Sequence, residues 1–151
     1  MPAVKTYPIL LILHLAGALA FVGAVFFEVV ILGGARRHVP ADAMRQVEWG
    51  IGRRARRVMP WVLLALYGSG VGMAWHHRAA LAHPLASSFA FLLTLKIALA
   101  LSVFGHFLAA MCWVRSGRLF SLRSRRLHLS VLCHMAGIVL LAKAMWYLPL
   151  W

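Results

Sequence analysis

The chain has 151 residues, of which 63% are hydrophobic and only 13% are charged. Soluble domains are nearer half apolar and a quarter charged, so this composition excludes a water-soluble enzyme, a disordered tail and a disulfide-bonded secreted scaffold. The formal net charge is +13, but 12 of the 16 basic residues lie in two stretches between apolar runs. Anionic lipid accounts for charge in that position, so we expect membrane lipid as a partner and no nucleic acid.

Four apolar windows are long enough to cross a bilayer, which takes about 20 residues. They show no alternation of apolar and polar residues, which favours helices over barrel strands. The sequence therefore predicts an all-α integral membrane protein, a four-helix antiparallel up-down bundle that forms a single transmembrane domain over residues 1–151. The predicted spans are residues 8–33, 58–77, 88–114 and 127–150.

The connectors between the windows predict the orientation. The first connector carries seven arginines and the third carries five, whereas the second carries only Arg78. By the positive-inside rule the first and third connectors are cytoplasmic, and both termini are periplasmic in a bacterial inner membrane. In the first connector, Pro40, Ala41 and Asp42 are typical of a helix start, which predicts a short interfacial helix.

Ionisable residues within the spans are the first candidates for function, because they are costly in a membrane. His106 lies eight residues from the inner end of the third span, and His134 lies seven residues from the inner end of the fourth. At 1.5 Å per residue both lie about 10–12 Å inside the membrane on adjacent helices. This arrangement suits a bis-histidine haem. The alternative is that both histidines form hydrogen bonds that link the two helices.

A second group of histidines lies near the outer face. His14 in the first span, with His76 or His77 at the end of the second, predicts ligands for a second haem. A copper site formed by Met73, His76, His77 and His83 is the alternative, since imidazole and thioether suit copper. A plain polar cap on the second helix is the third interpretation.

Glu28 and Lys96 are the candidate catalytic residues. Glu28 lies 14 residues after His14, so both share one face of the first helix with Phe21. We expect Glu28 to lie in the inner half of the bundle, near His106 and His134. There it would carry a proton or tune the redox potential, and Lys96 would do so in the outer half.

These residues also resemble a known family. His14 followed by LAGALAFVG, together with Lys96 in FLLTLKIALAL, resembles the CopD-like (copper-resistance D) membrane family and its HemJ-like four-helix relatives. The resemblance implies copper uptake in the first case, and haem b with protoporphyrinogen oxidase activity in the second. His14 and Lys96 match the family's histidine and lysine, which the resemblance implies are essential in the oxidase family. Phe21 replaces a more usual tryptophan, and Glu28 and Val29 replace a proline and an arginine, which counts against the oxidase activity.

The sequence thus predicts a haem b protein of the inner membrane, with one or two haems, that transfers electrons between quinol and a periplasmic redox partner. Haem ligands would come from His106 and His134, and from His14 with His76 or His77. Copper handling, the oxidase activity and a non-catalytic assembly subunit are the alternatives. The oligomeric state stays open, a homo-oligomer included.

Overall fold

The computed structural model describes the backbone of residues 3–115 and 122–147, and the side chains of residues 6–112 and 126–147. The part of the chain so described is all-α, and four of its helices are long and apolar enough to cross a membrane, which confirms the predicted class. The elements are α1 (Ala3–Phe26), a π-helical segment (Phe27–Leu32), α2 (Gly33–Ala35), α3 (Ala41–His76), α4 (Arg78–Ala82), α5 (Ser88–Arg115) and α6 (Leu122–Tyr147).

The helices form two units, Met1–His76 and His77–Trp151, and each unit is a helical hairpin. In the first unit α1 packs against α3, and in the second α5 packs against α6. Both hairpins are antiparallel. In the first, for example, Gly72 near the end of α3 lies against Leu10 near the start of α1, whereas Gly17 lies against Leu66.

The first hairpin is held together by one face of α1. Gly17, Phe21 and Val25 are the buried residues of its described part, and their spacing of four residues places them on one side of the helix. Leu32, seven residues after Val25, is buried in the π-helical segment that follows. Leu63 and Ser69 are the buried counterparts in the membrane-spanning part of α3. Small residues at such a contact let two helix backbones approach closely, which is how helices usually associate in a membrane.

The first connector differs from its prediction in one respect. A helix does begin at Ala41, but it runs without a break into the second span, so that α3 has 36 residues. At 1.5 Å per residue it is about 54 Å long, well beyond the roughly 30 Å of a hydrocarbon core. An ion pair of 2.6 Å between Arg36 and Glu48 joins the two sides of the hairpin next to its turn. From Ala41 onward the basic connector is thus the N-terminal part of α3 and not a separate interfacial helix.

The second hairpin begins with a capped helix. The Ser87 hydroxyl accepts a hydrogen bond from the Ala90 amide at 3.2 Å, as an N-cap residue does. α5 follows its predicted span closely, and the last residues of the fourth predicted span, 148–150, lie outside the described part. The side chains of four arginines in the third connector, Arg115, Arg118, Arg123 and Arg125, also lie outside it.

Candidate functional site

His106 and His134 meet in the interface between α5 and α6. Their ring centroids are 5.2 Å apart, and the ring planes are inclined by 55°. The two residues therefore lie at the same level of the hairpin, and their depth in a membrane stays a prediction. Both rings are only partly buried in the hairpin.

Each imidazole has the same two kinds of partner. The Nδ1 atom of His106 donates to the backbone carbonyl of Ser102 at 2.7 Å, and that of His134 donates to the carbonyl of Ser130 at 2.7 Å. The Nε2 atom of His106 accepts from the Ser130 hydroxyl at 3.1 Å, and that of His134 accepts from the Ser102 hydroxyl at 3.2 Å. A carbonyl only accepts, so each Nδ1 carries a proton, and a ring whose single proton is on Nδ1 accepts a hydrogen bond at Nε2.

Ser102, Ser130, His106 and His134 thus form one closed group, which we call the Ser–His quartet. Its sequence signal is a repeated pattern, SVFGH on α5 and SVLCH on α6, in which serine precedes histidine by one helical turn. Antiparallel packing places the serine of each copy against the histidine of the other. The candidates chosen from the sequence were limited to ionisable and metal-binding side chains, and so both serines were missed.

The quartet shares one feature with the histidine ligands of metal sites. Histidines that bind metals usually donate their second ring nitrogen to a carbonyl or carboxylate, which fixes the ring and makes the ligand more basic. Both Nδ1 atoms are held in this way, and both Nε2 atoms face the other helix. The spacing is shorter than a haem needs. Two metal–imidazole bonds of about 2 Å each, plus half of each ring, exceed the 5.2 Å centroid distance. Each Nε2 atom also faces the serine of the other helix and not the other ring, so binding requires the rings to turn and to move apart.

His14 lies in the first hairpin, close to the backbone of α3. Its Nδ1 atom donates to the Leu66 carbonyl at 2.9 Å, and the Ser69 hydroxyl is 3.4 Å from the same nitrogen. The ring lies over Gly70, where a Cβ atom would be 3.2 Å from His14 Cε1. His14 is therefore at the level of Gly70 on α3.

His76 lies in the same hairpin, at the C-terminal end of α3. Its ring is 5.4 Å from that of Tyr7, and its Nδ1 atom donates to the Gly72 carbonyl at 2.8 Å. Six residues of α3 separate Gly70 from His76, or about 9 Å along the helix. The structure thus does not place His14 and His76 at the same level, where two ligands of one iron would lie. His77, in the second unit, packs on Phe89 at 5.4 Å.

The outer copper site gains no support from the described side chains. Among residues 6–112 and 126–147 no three or more His, Cys, Asp or Glu side chains converge as metal ligands. His76 and His83 are both exposed, and His83 follows the end of α4. A copper site with Met73 and these histidines stays a prediction.

Glu28 and Lys96 lie in different units. Glu28 is half-buried in the π-helical segment, where its carbonyl accepts a hydrogen bond from the Gly33 amide five residues later. Such π-helical turns are frequent at functional sites. Lys96 is half-buried on α5, ten residues or about 15 Å along the helix from His106. The expected approach of Glu28 to His106 and His134 joins the two units and stays a prediction.

The residues that carry the CopD-like resemblance are divided between the hairpins. His14 and Phe21 lie on the face of α1 that packs against α3, and Lys96 lies on α5. The Ser–His quartet is not part of that resemblance. Comparison of the chain with protein-family models, with curated proteins and with solved structures finds no match.

Proposed function

We propose that this chain is a multi-pass protein of the bacterial inner membrane that binds haem b through His106 and His134 and transfers electrons. One observation carries the proposal. Two imidazoles on adjacent membrane helices are each anchored through Nδ1 to a backbone carbonyl, and each directs Nε2 towards the other helix. Quinol as donor and a periplasmic protein as acceptor belong to the same proposal.

The residues of the second hairpin have separate roles in this proposal. The carbonyls of Ser102 and Ser130 keep the two rings in the tautomer that leaves Nε2 free to bind a metal. The two serine hydroxyls satisfy Nε2 when no metal is bound. A bound haem would supply one-electron redox chemistry, and the surrounding apolar helices would limit access of water to it.

Copper handling at the same pair is the second candidate. The observation that favours it is the direct packing of α5 against α6 at the two rings, since a single ion between two imidazoles requires less separation of these helices than a macrocycle does. Imidazole is a good ligand for copper. This candidate places copper on the quartet and not on the outer histidines.

The test of these two candidates is a dithionite-reduced minus oxidised visible spectrum of the detergent-purified protein, expressed with ample haem and copper. Iron and copper are quantified in the same sample. We expect sharp b-type bands with iron near one equivalent per chain. Copper at one equivalent without bands would favour the second candidate, and the absence of both metals would contradict both.

The orientation can be tested by cysteine labelling. In a variant with Cys112 and Cys133 replaced by alanine, His38→Cys is expected to react with a membrane-impermeant maleimide only in inverted vesicles. Ala86→Cys is expected to react in intact spheroplasts, because the second connector would be periplasmic. Both positions are exposed, one in each of the connectors tested. The reverse pattern of labelling would contradict the proposed topology.

A further inference from the structure

One side of α3 is exposed along most of the helix. It faces away from the residues that contact α1, and its members recur every three or four residues, so they form one stripe. We call it the outer stripe of α3. Its residues are Gly50, Arg53, Arg57, Trp61, Leu64, Gly68, Val71 and Trp75, and all are exposed.

The chemistry of the outer stripe changes in a fixed order. Arg53 and Arg57 come first, then Trp61, which is 72% exposed. Leu64 follows, and then Gly68, where a Cβ atom would meet nothing within 4 Å. Tryptophan is enriched at the level of lipid headgroups. The sequence of cation, interfacial aromatic and apolar surface is therefore the order of phosphate, glycerol and acyl chain in a phospholipid.

The basic end of the outer stripe carries positive charge that no carboxylate compensates in the described residues. The chain has three acidic residues. Two of them are paired elsewhere, since Asp42 contacts Arg45 and Glu48 contacts Arg36. No carboxylate pairs with either stripe arginine within the described residues.

The position of the first stripe arginine is also defined. The guanidinium carbon of Arg53 lies 5.3 Å from the centre of the Trp49 ring, a cation–π contact. This contact holds the cation against the helix surface while its N–H groups stay available. Guanidinium groups bind phosphate through paired hydrogen bonds.

We propose that an anionic phospholipid binds along the outer stripe of α3. Its phosphate lies between Arg53 and Arg57, and one acyl chain lies over Trp61 and Leu64 into the notch at Gly68. Charge complementarity selects the occupant, because an excess of arginine beside an apolar helix surface matches an acidic lipid and not an apolar protein face. This site is independent of the Ser–His quartet, which lies in the other unit.

The test is native mass spectrometry of the full-length protein in detergent, with equal amounts of phosphatidylglycerol and phosphatidylcholine added. We expect one phosphatidylglycerol to be retained in preference. The variant Arg53→Gln/Arg57→Gln is expected to weaken its binding roughly fivefold for each arginine removed. The matched control, Arg45→Gln/Arg78→Gln, removes two charges outside the stripe and is expected to bind like the wild type.

Three outcomes would overturn the proposal. One is equal loss of phosphatidylglycerol in both double variants, which would indicate an effect of net charge alone. Another is full displacement of the lipid by inorganic phosphate, which would indicate a site for the free anion. The third is unchanged binding in Gly68→Leu, a variant that keeps both arginines but fills the notch, because the proposal expects this change to weaken binding of long-chain lipid.

Discussion

Replacing either His106 or His134 by alanine is expected to abolish the reduced-state haem bands and to lower bound iron to background. Each variant leaves one protein ligand, on one hairpin helix, where the wild type has two facing imidazoles. Loss of a partner that only orients a ligand already lowers metal affinity about 10–100-fold, so loss of the ligand itself has a larger effect. The measurements are the difference spectrum and iron content of each purified variant.

Two controls separate a ligand from a structural histidine. His128→Ala removes a histidine from the same helix, six residues before His134, and is expected to keep the full bands. The double variant Ser102→Ala/Ser130→Ala removes the two hydroxyls that occupy Nε2 but leaves both carbonyl anchors in place. It is therefore expected to retain haem at the wild-type level or above.

If the Ser–His quartet has only a structural role, the opposite result is expected for these histidine and serine variants. The histidine variants and the double serine variant would then all lower the melting temperature, because each breaks the hydrogen bonds between α5 and α6. Haem content would be the same in every variant, at or near zero. That pattern, with the rings acting only as links between helices, would contradict haem ligation by His106 and His134.

Hydropathy alone predicts the four helices, because a membrane span requires a run of apolar residues of fixed length. α5 was predicted closely for this reason. Hydropathy does not report where a helix ends once it leaves the membrane, and here α3 continues through the arginine-rich segment back to Ala41. Alanine, arginine and glutamate in that segment are all good helix formers, which allows the extension.

The sequence predicted a contact between two site residues only where their distance from a shared membrane boundary was enough to place them together. Counting from the connector between two sequential helices places His106 against His134, because both counts start from the same membrane boundary. The pairing of His14 with His76 needed the register of α1 against α3. That register is set by close contacts such as Gly17 with Leu66, which leave His14 at Gly70 and place His76 nearer Tyr7. No pattern in the sequence specifies such a contact.

Gly17→Ala is expected to destabilise the first hairpin. A Cβ atom at this position would lie 3.1 Å from Leu66 Cβ, 3.2 Å from its Cα and 3.3 Å from its backbone nitrogen. Backbone atoms cannot rotate away as the end of a side chain can, so α1 and α3 must move apart. Overpacking of this kind usually costs about 1–3 kcal/mol, partly offset by the roughly 0.5–1 kcal/mol that alanine gains over glycine in a helix.

Gly23→Ala is the matched control for this change on the same helix. A Cβ atom at position 23 would meet nothing within 4 Å, so only the helix-forming advantage of alanine remains and stability is expected to stay equal or rise slightly. The measurement is thermal or detergent-induced unfolding of the purified protein, with haem content recorded beside it. Gly17 lies three residues from His14 but in a different unit from His106 and His134. A lower stability with unchanged haem is therefore expected for Gly17→Ala, whereas equal stability of the two variants would show that α1 and α3 do not touch at Leu66.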